Sequence, residues 1–324
     1  MQRPIRFIDL FCGIGGFRIG FEKAAQNIGF QTNCVFSSDI DVPCQKSYFA
    51  NFGQLPEGDI KDVVAKEIPD YDVLLAGFPC QSFSIIGKMK GFSDARGELF
   101  FDIVEILKAT QPKAFILENV KQLAGHNKGQ TIKIITKNLK EVGYNVDYKV
   151  LNALDFGLPQ KRERVFIVGW KTNSKYAFPE PLNYYEPLSN ILEKKVDEKH
   201  YASDYIKEKR KAKHKSAYKP GIWHENKAGN ISSYPFSCAL RAGASYNYLL
   251  VDGMRRLTPR EMFRLQGFPD SYKIMVSDTQ ARKQAGNSVP VNVVEAVSSN
   301  LLELCFKTKM QTKKSKTVKL GLNE

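Results

Sequence analysis

The run Val-Leu-Leu-Ala-Gly-Phe-Pro-Cys-Gln-Ser-Phe-Ser at 73–84 is an apolar strand that stops at Pro79 and presents one thiol, Cys80. In an open α/β sheet the ligand crevice lies outside the carboxyl ends of the strands, so a thiol there faces substrate and suits a nucleophile. An isolated Pro-Cys is more often an inert buried cysteine, and the rest of the chain must decide between the two. Glu118-Asn119-Val120 closes another apolar run, on the same rim as Cys80 if both strands are parallel. A carboxylic acid beside a nucleophile suits proton handling on a heterocycle, although Glu118 alone could equally cap a helix or pair with a cation. Gln160-Lys161-Arg162-Glu163-Arg164 adds arginines able to clamp a carbonyl or a phosphate; a solvated charge run is the ordinary origin of such a string.

A second kind of chemistry is written in Phe11-Cys12-Gly13-Ile14-Gly15-Gly16-Phe17, which follows the first strand and opens a helix. Glycine there lets backbone approach a nucleotide-like ligand. The third glycine of a dinucleotide fingerprint would fall at Arg18, so a ligand without a pyrophosphate fits better. Asp39 ends the second strand, where a carboxylate accepts the two hydroxyls of a ribose, and Asp59 follows the next segment, within reach of an adenine amine.

These residues need a scaffold, and the chain supplies a βαβ rhythm from 5 to about 175. Strands are expected at 6–11, 33–38, 72–76, 114–118, 144–151 and 164–170, with helices at 98–108 and 130–142. Parallel strands with crossover helices follow, hence an α/β, Rossmann-like fold with a mostly parallel sheet. After Trp170, Pro179, Pro181 and Pro187 precede a stretch, 194–219, with ten Lys or Arg residues. The catalytic and cofactor-binding domain is therefore set at 1–175 with 278–306, including an apolar helix at 289–304 that packs back on it. A smaller domain occupies 176–277, and 307–324 is a basic tail expected to be disordered.

The 324 residues carry 48 Lys plus Arg against 34 acids, a net charge of +14, which makes a polyanionic partner plausible. Six cysteines without a Cys-x-x-Cys pair, and four histidines, give no zinc cluster, so no metal is expected. No stretch carries the ~18 apolar residues a membrane span needs, and a cytoplasmic protein with reduced thiols is expected.

Assembled in order, the Phe-x-Gly-x-Gly-Gly turn, Gly-Phe-Pro-Cys-Gln, Glu-Asn-Val and Gln-Lys-Arg-Glu-Arg resemble the cytosine-5 DNA methyltransferases, most closely the bacterial modification enzymes of the HhaI type. Arg256-Leu257-Thr258-Pro259-Arg260-Glu261, Gln266-Gly267-Phe268-Pro269 and Gly286-Asn287-Ser288-Val289 continue the pattern, leaving only about 171–253 and the tail outside it. The resemblance implies methyl transfer from S-adenosyl-L-methionine to carbon 5 of a cytosine in double-stranded DNA. It makes Cys80 the thiolate that adds to ring carbon 6, Glu118 the acid at ring nitrogen 3, and Arg164 the holder of the carbonyl oxygen, with Arg162 in support.

By the same resemblance the cofactor rests on Phe11, Gly13 and Gly15, with Asp39 and Ile40 at its ribose and adenine, Asp59 and Ile60 on the adenine, Pro79 beside them, and Asn287 and Val289 closing the pocket. Ile40 is a departure, because many relatives place Trp or another large side chain there. Base flipping is implied, and Gln81, Ile86, Lys88, Lys90 and Arg96 belong to the loop expected to close over DNA. Arg241, Ser245 and Asn247, near Tyr246, are candidates for reaching base edges, although loop or phosphate contacts are the commoner use of such residues. Ala239-Leu240 stands where relatives often carry Thr-Leu. A monomer serving a restriction-modification system, with a cognate endonuclease acting at the same site, is the expected setting. The rivals are a tRNA cytosine-5 methyltransferase and a catalytically silent DNA-binding relative.

Overall fold

The computed structural model describes residues 3–79 and 98–307. Period-two alternation of apolar side chains builds its central sheet from β1 (Ile5–Leu10), β2 (Thr32–Ser38), β3 (Val73–Gly77), β4 (Ala114–Val120), β5 (Asn145–Asn152) and, after the short β6 (Gln160–Lys161), β7 (Glu163–Trp170). Val73 and Leu75 of β3 enter one apolar layer and Leu74 and Ala76 the other; β4 divides Ala114 and Ile116 from Phe115 and Leu117 in the same way. A sheet buried on both faces needs helices on both sides. The described helices are α1 (Gly16–Asn27), α2 (Val42–Phe52), α3 (Glu98–Thr110), α4 (Gln122–Gly125), α5 (Gln130–Glu141), α6 (Leu188–Ile191), α7 (Asp204–Lys213), α8 (Pro259–Leu265), α9 (Asp278–Asn287) and α10 (Val291–Phe306). Helices α1 and α10 cover the first face, α3 and α5 the second.

The strand order is β2-β1-β3-β4-β7-β5. Strands β1 to β4 pair in parallel, and β7 lies antiparallel to both β4 and β5, so the sheet is mostly parallel, as the sequence leads one to expect. The reason for the antiparallel β7 is the connection: a parallel return needs a crossover of about a dozen residues or more, and 153–162 holds only a 3-10 turn and β6. Asp278–Phe306 has the length and apolarity of a membrane span, yet half of its most apolar window is buried and it divides into α9 and α10 at Ser288 to Pro290.

The C-terminal helix closes the front of the sheet through contacts that only glycine allows. A Cβ on Gly20 would sit 2.7 Å from Val294, and one on Gly16 would sit 2.7 Å from the Ser288 hydroxyl. Beyond Trp170, strands β8 (Ile222–Glu225), β9 (Ile231–Tyr234) and β11 (Leu249–Val251) form a separate sheet in the order β11-β8-β9. Strand β10 (Ser237–Cys238) instead pairs in parallel with β6, stitching this part of the chain to the end of the main sheet.

Candidate active site

At the carboxyl end of β1 the backbone turns through left-handed conformations, φ 53° at Phe11, 54° at Gly13 and 78° at Gly15. For Phe11 such a conformation costs about 1–3 kcal/mol, which the surrounding bonds must hold in place. Those bonds include Cys12 N–H to the Ser38 carbonyl at 3.0 Å, Gly15 N–H to the Cys12 carbonyl at 2.8 Å and Gly13 N–H to Asp39 Oδ2 at 2.7 Å, while Asp39 Oδ1 accepts the Asp41 N–H at 2.8 Å. Among the described residues a Cβ on Gly13 would meet nothing within 4 Å, so its open side borders free space. That space is a cavity of about 730 Å³, floored by Phe11 and Gly13 and edged by Asp39 and Ile40. Asp59, Ile60 and Pro79 form another edge, and Asn287 and Val289 close it from the C-terminal side. Gly15 lies under the turn, where a Cβ would come 2.3 Å from the Phe52 ring; it lets the turn close rather than lining the cavity.

The opposite wall is the rim of β3 and β4. Glu118 pairs in register with Gly77, and a Cβ there would lie 3.6 Å from Glu118 Oε2. Asn119 Nδ2 donates to the Phe78 carbonyl at 2.9 Å, so the residues leading to Pro79 are tied to the strand carrying Glu118. Glu118 is buried and its Oε1 lies 3.0 Å from Arg164 Nε, contributed by the antiparallel β7. Burial pushes the Glu118 carboxyl above its ordinary value, against the opposing pull of Arg164 and Arg162. Arg162 is buried beside this pair, and its guanidinium donates to the Leu240, Gly286 and Ser288 carbonyls at 2.9, 2.9 and 2.6 Å.

Cys80, Gln81, Ile86, Lys88, Lys90 and Arg96 lie outside the described residues. Burial, the first cause in each case, raises the thiol of all five described cysteines: Cys34 and Cys305 are pushed up to about 12, and Cys12, Cys44 and Cys238 also rise. At neutral pH such thiols hold no useful thiolate.

The C-5 cytosine-specific DNA methylase family profile matches residues 5–303. The chain is 57% identical over 292 residues to Type II methyltransferase M.NgoBI of Neisseria gonorrhoeae, covering 89% of this chain and 90% of that protein. It is 53% identical over 304 residues to Type II methyltransferase M.HaeII of Haemophilus aegyptius, with coverage of 93% and 94%. Type II methyltransferase M.HhaI of Haemophilus parahaemolyticus is 38% identical over 316 residues, 92% of this chain and 94% of that one. The chain belongs to the C-5 cytosine-specific DNA methylase family. The fold agrees with solved structures of Entamoeba histolytica methyltransferase EhMeth (TM-score 0.74, 19% identity, 93% of this chain, 99% of that one) and S. pombe Dnmt2 methyltransferase (0.72, 23%, 93%, 99%).

In this methylase the candidate base-reading residues sit apart from the first cavity. Arg241 stacks over the Tyr248 ring at 4.8 Å and lines a second cavity of about 240 Å³ with Tyr246, Arg256 and Arg282. Arg241 and Ser245 are exposed, whereas Asn247 has a buried Oδ1 and gives its carbonyl to Arg210. Sequence reasoning overlooked the buried polar side chains that frame the methylase site. Asp9 lies fully buried near the glycine turn, where burial drives its carboxyl well above the ordinary range. Gln160 and Gln266 are likewise fully buried and bonded to backbone. Polar residues that interrupt apolar runs were the available signal.

Proposed function

We propose that this chain is a site-specific DNA (cytosine-5-)-methyltransferase that takes its methyl from S-adenosyl-L-methionine and serves a bacterial restriction-modification system beside a cognate endonuclease. The observation that carries this reading is the sharing of one cavity by the glycine turn and the Glu118–Arg164 pair. The residues fit the cofactor: an open glycine backbone, a carboxylate on the next strand and an apolar C-terminal wall surround a volume within the ~300–1,000 Å³ usual for such ligands. When bound, S-adenosyl-L-methionine supplies an electrophilic methyl group.

The protein's own residues then do the rest. Asp39 keeps lone pairs for ribose hydroxyls after its two backbone bonds, while Asp59 and Ile60 take the adenine edge. A cytosine must leave the helical stack to reach the site. Cys80, next in the chain to Pro79, adds to ring carbon 6. Glu118, whose proton affinity burial raises, gives a proton to ring nitrogen 3, and Arg164 holds the carbonyl oxygen. Carbon 5 then becomes nucleophilic and takes the methyl; a water molecule takes the carbon 5 proton, the Cys80 sulfur leaves ring carbon 6 as thiolate, and ring nitrogen 3 returns its proton to Glu118, which restores the aromatic ring. We assign 1–175 with 278–306 to this chemistry and 176–277, with its separate three-stranded sheet, to target recognition.

The test is transfer of radiolabelled methyl to duplex DNA and, in parallel, to tRNA, followed by bisulfite sequencing of the labelled polymer. Label confined to cytosine in DNA supports the reading. Cys80→Ala should lose transfer while still binding S-adenosylhomocysteine, and full activity of that variant would refute the covalent route.

A further inference from the structure

The segment 240–247, which carries the candidate base-reading residues, and the segment 286–289, which walls the cavity at the glycine turn, come from distant parts of the chain, yet one buried side chain holds both. Arg162 is 1% exposed, and its Nη1 donates to Leu240 O at 2.9 Å. Its Nη2 donates to Gly286 O at 2.9 Å and Ser288 O at 2.6 Å, the carbonyls that bracket Asn287. Among the described residues no carboxylate hydrogen-bonds this guanidinium; three aimed carbonyl dipoles replace water at its Nη atoms, while its buried Nε has no partner there. The neighbours enforce the same junction. Gln160, fully buried, accepts the Leu240 N–H at 3.0 Å and donates to Leu265 O at 2.8 Å, while Gln266 donates to Ala285 O at 2.5 Å. No side chain fits between the two segments at Gly286, because a Cβ there would lie 2.3 Å from the Ala242 nitrogen.

A clamp of this kind leaves little room for one segment to move without the other. We propose that Arg162 is a positioning residue that couples the two sites: DNA seated on 241–247 fixes 286–289 in the form that holds the cofactor, and the cofactor fixes the DNA-reading segment in return. This rests on the methyltransferase reading above, which assigns the two ligands. Reciprocity follows from linkage, since a factor by which DNA tightens the cofactor site is the factor by which the cofactor tightens DNA.

The experiment measures Kd for S-adenosylhomocysteine by calorimetry, with and without a duplex oligonucleotide bearing a site that the wild-type chain methylates. Wild type should bind the probe at least ~5-fold more tightly with DNA, the low end of ordinary coupling. Arg162→Lys keeps the charge but cannot fork to three carbonyls. It should bring that ratio to within twofold of one, whatever the DNA-free Kd becomes, because the ratio compares two states of the same variant. A ratio of one in wild type, or a wild-type ratio in Arg162→Lys, overturns the proposal; equal weakening in both states does so too, because it marks a merely structural role. Should Arg162→Lys fail to fold, hydrogen exchange of 240–247 in wild type decides: S-adenosylhomocysteine alone should slow it at least threefold, and unchanged exchange overturns the proposal. Failure of the methyltransferase reading is seen separately, as no labelled DNA from wild type.

Discussion

At the scale of single residues, Glu118 carries the sharpest consequence. Its carboxyl is raised above the ordinary 4.5 by burial, so the folded state binds the proton more tightly than the unfolded chain. The stability this contributes is complete below the unfolded value and is lost as pH rises through the folded one. Glu118→Gln, which cannot titrate, should flatten that slope in pH-dependent thermal denaturation, and should slow single-turnover methyl transfer by roughly 10²- to 10⁴-fold, the usual worth of a general acid. A variant as fast as wild type would remove Glu118 from the proton path. Ile40 gives a prediction of opposite sign. It stands 69% exposed on the cavity rim, and a ring in its place would add about 0.5–1.5 kcal/mol of stacking. Ile40→Trp should therefore tighten S-adenosylhomocysteine binding roughly 2- to 10-fold by calorimetry; no gain would mean that adenine does not pass that edge.

At the scale of elements, the α1 and α10 contact is a test of close packing. Gly20→Ala gains about 1 kcal/mol of helix propensity, but its methyl would lie 2.7 Å from Val294, and overpacking costs about 1–3 kcal/mol. Destabilisation should win, seen as a lower midpoint in urea without a change of slope; a raised midpoint would show that the helices can part. The six strands and the helices at Glu98–Thr110 and Gln130–Glu141 were legible, because short apolar runs ended by Gly, Pro or Asp and period-3.6 patterns are local properties of the chain. Direction was not. An unbroken apolar run identifies β7 as a strand but says nothing of which way it runs, and only the short 153–162 connection held that information. Of the site, the glycine turn, Asp39 and Glu118 were readable from residue type at strand ends. The network of Arg162, Gln160 and Gln266 was not, since its bonds reach backbone 78 to 126 residues away from Arg162 alone.

At the scale of the whole molecule, the +14 net charge sets how the protein meets a polyanion. Binding to duplex DNA should weaken linearly in log–log plots against salt, with a slope of about −0.9 for each phosphate contacted. Replacing one contacting lysine should make that slope shallower by about 1. A response independent of salt would remove charge from the account of DNA binding. The pocket at the glycine turn has a further consequence. Its floor lies near the start of the described chain, its far wall is Asn287 and Val289, and the turn's helix is seated by α10, ending at Phe306. The cavity therefore stays half-built until 287–289 and α10 have joined the turn. A chain cut before α10 should therefore lose S-adenosylhomocysteine binding altogether in calorimetry, and retained binding would show that the turn can hold its shape without that helix.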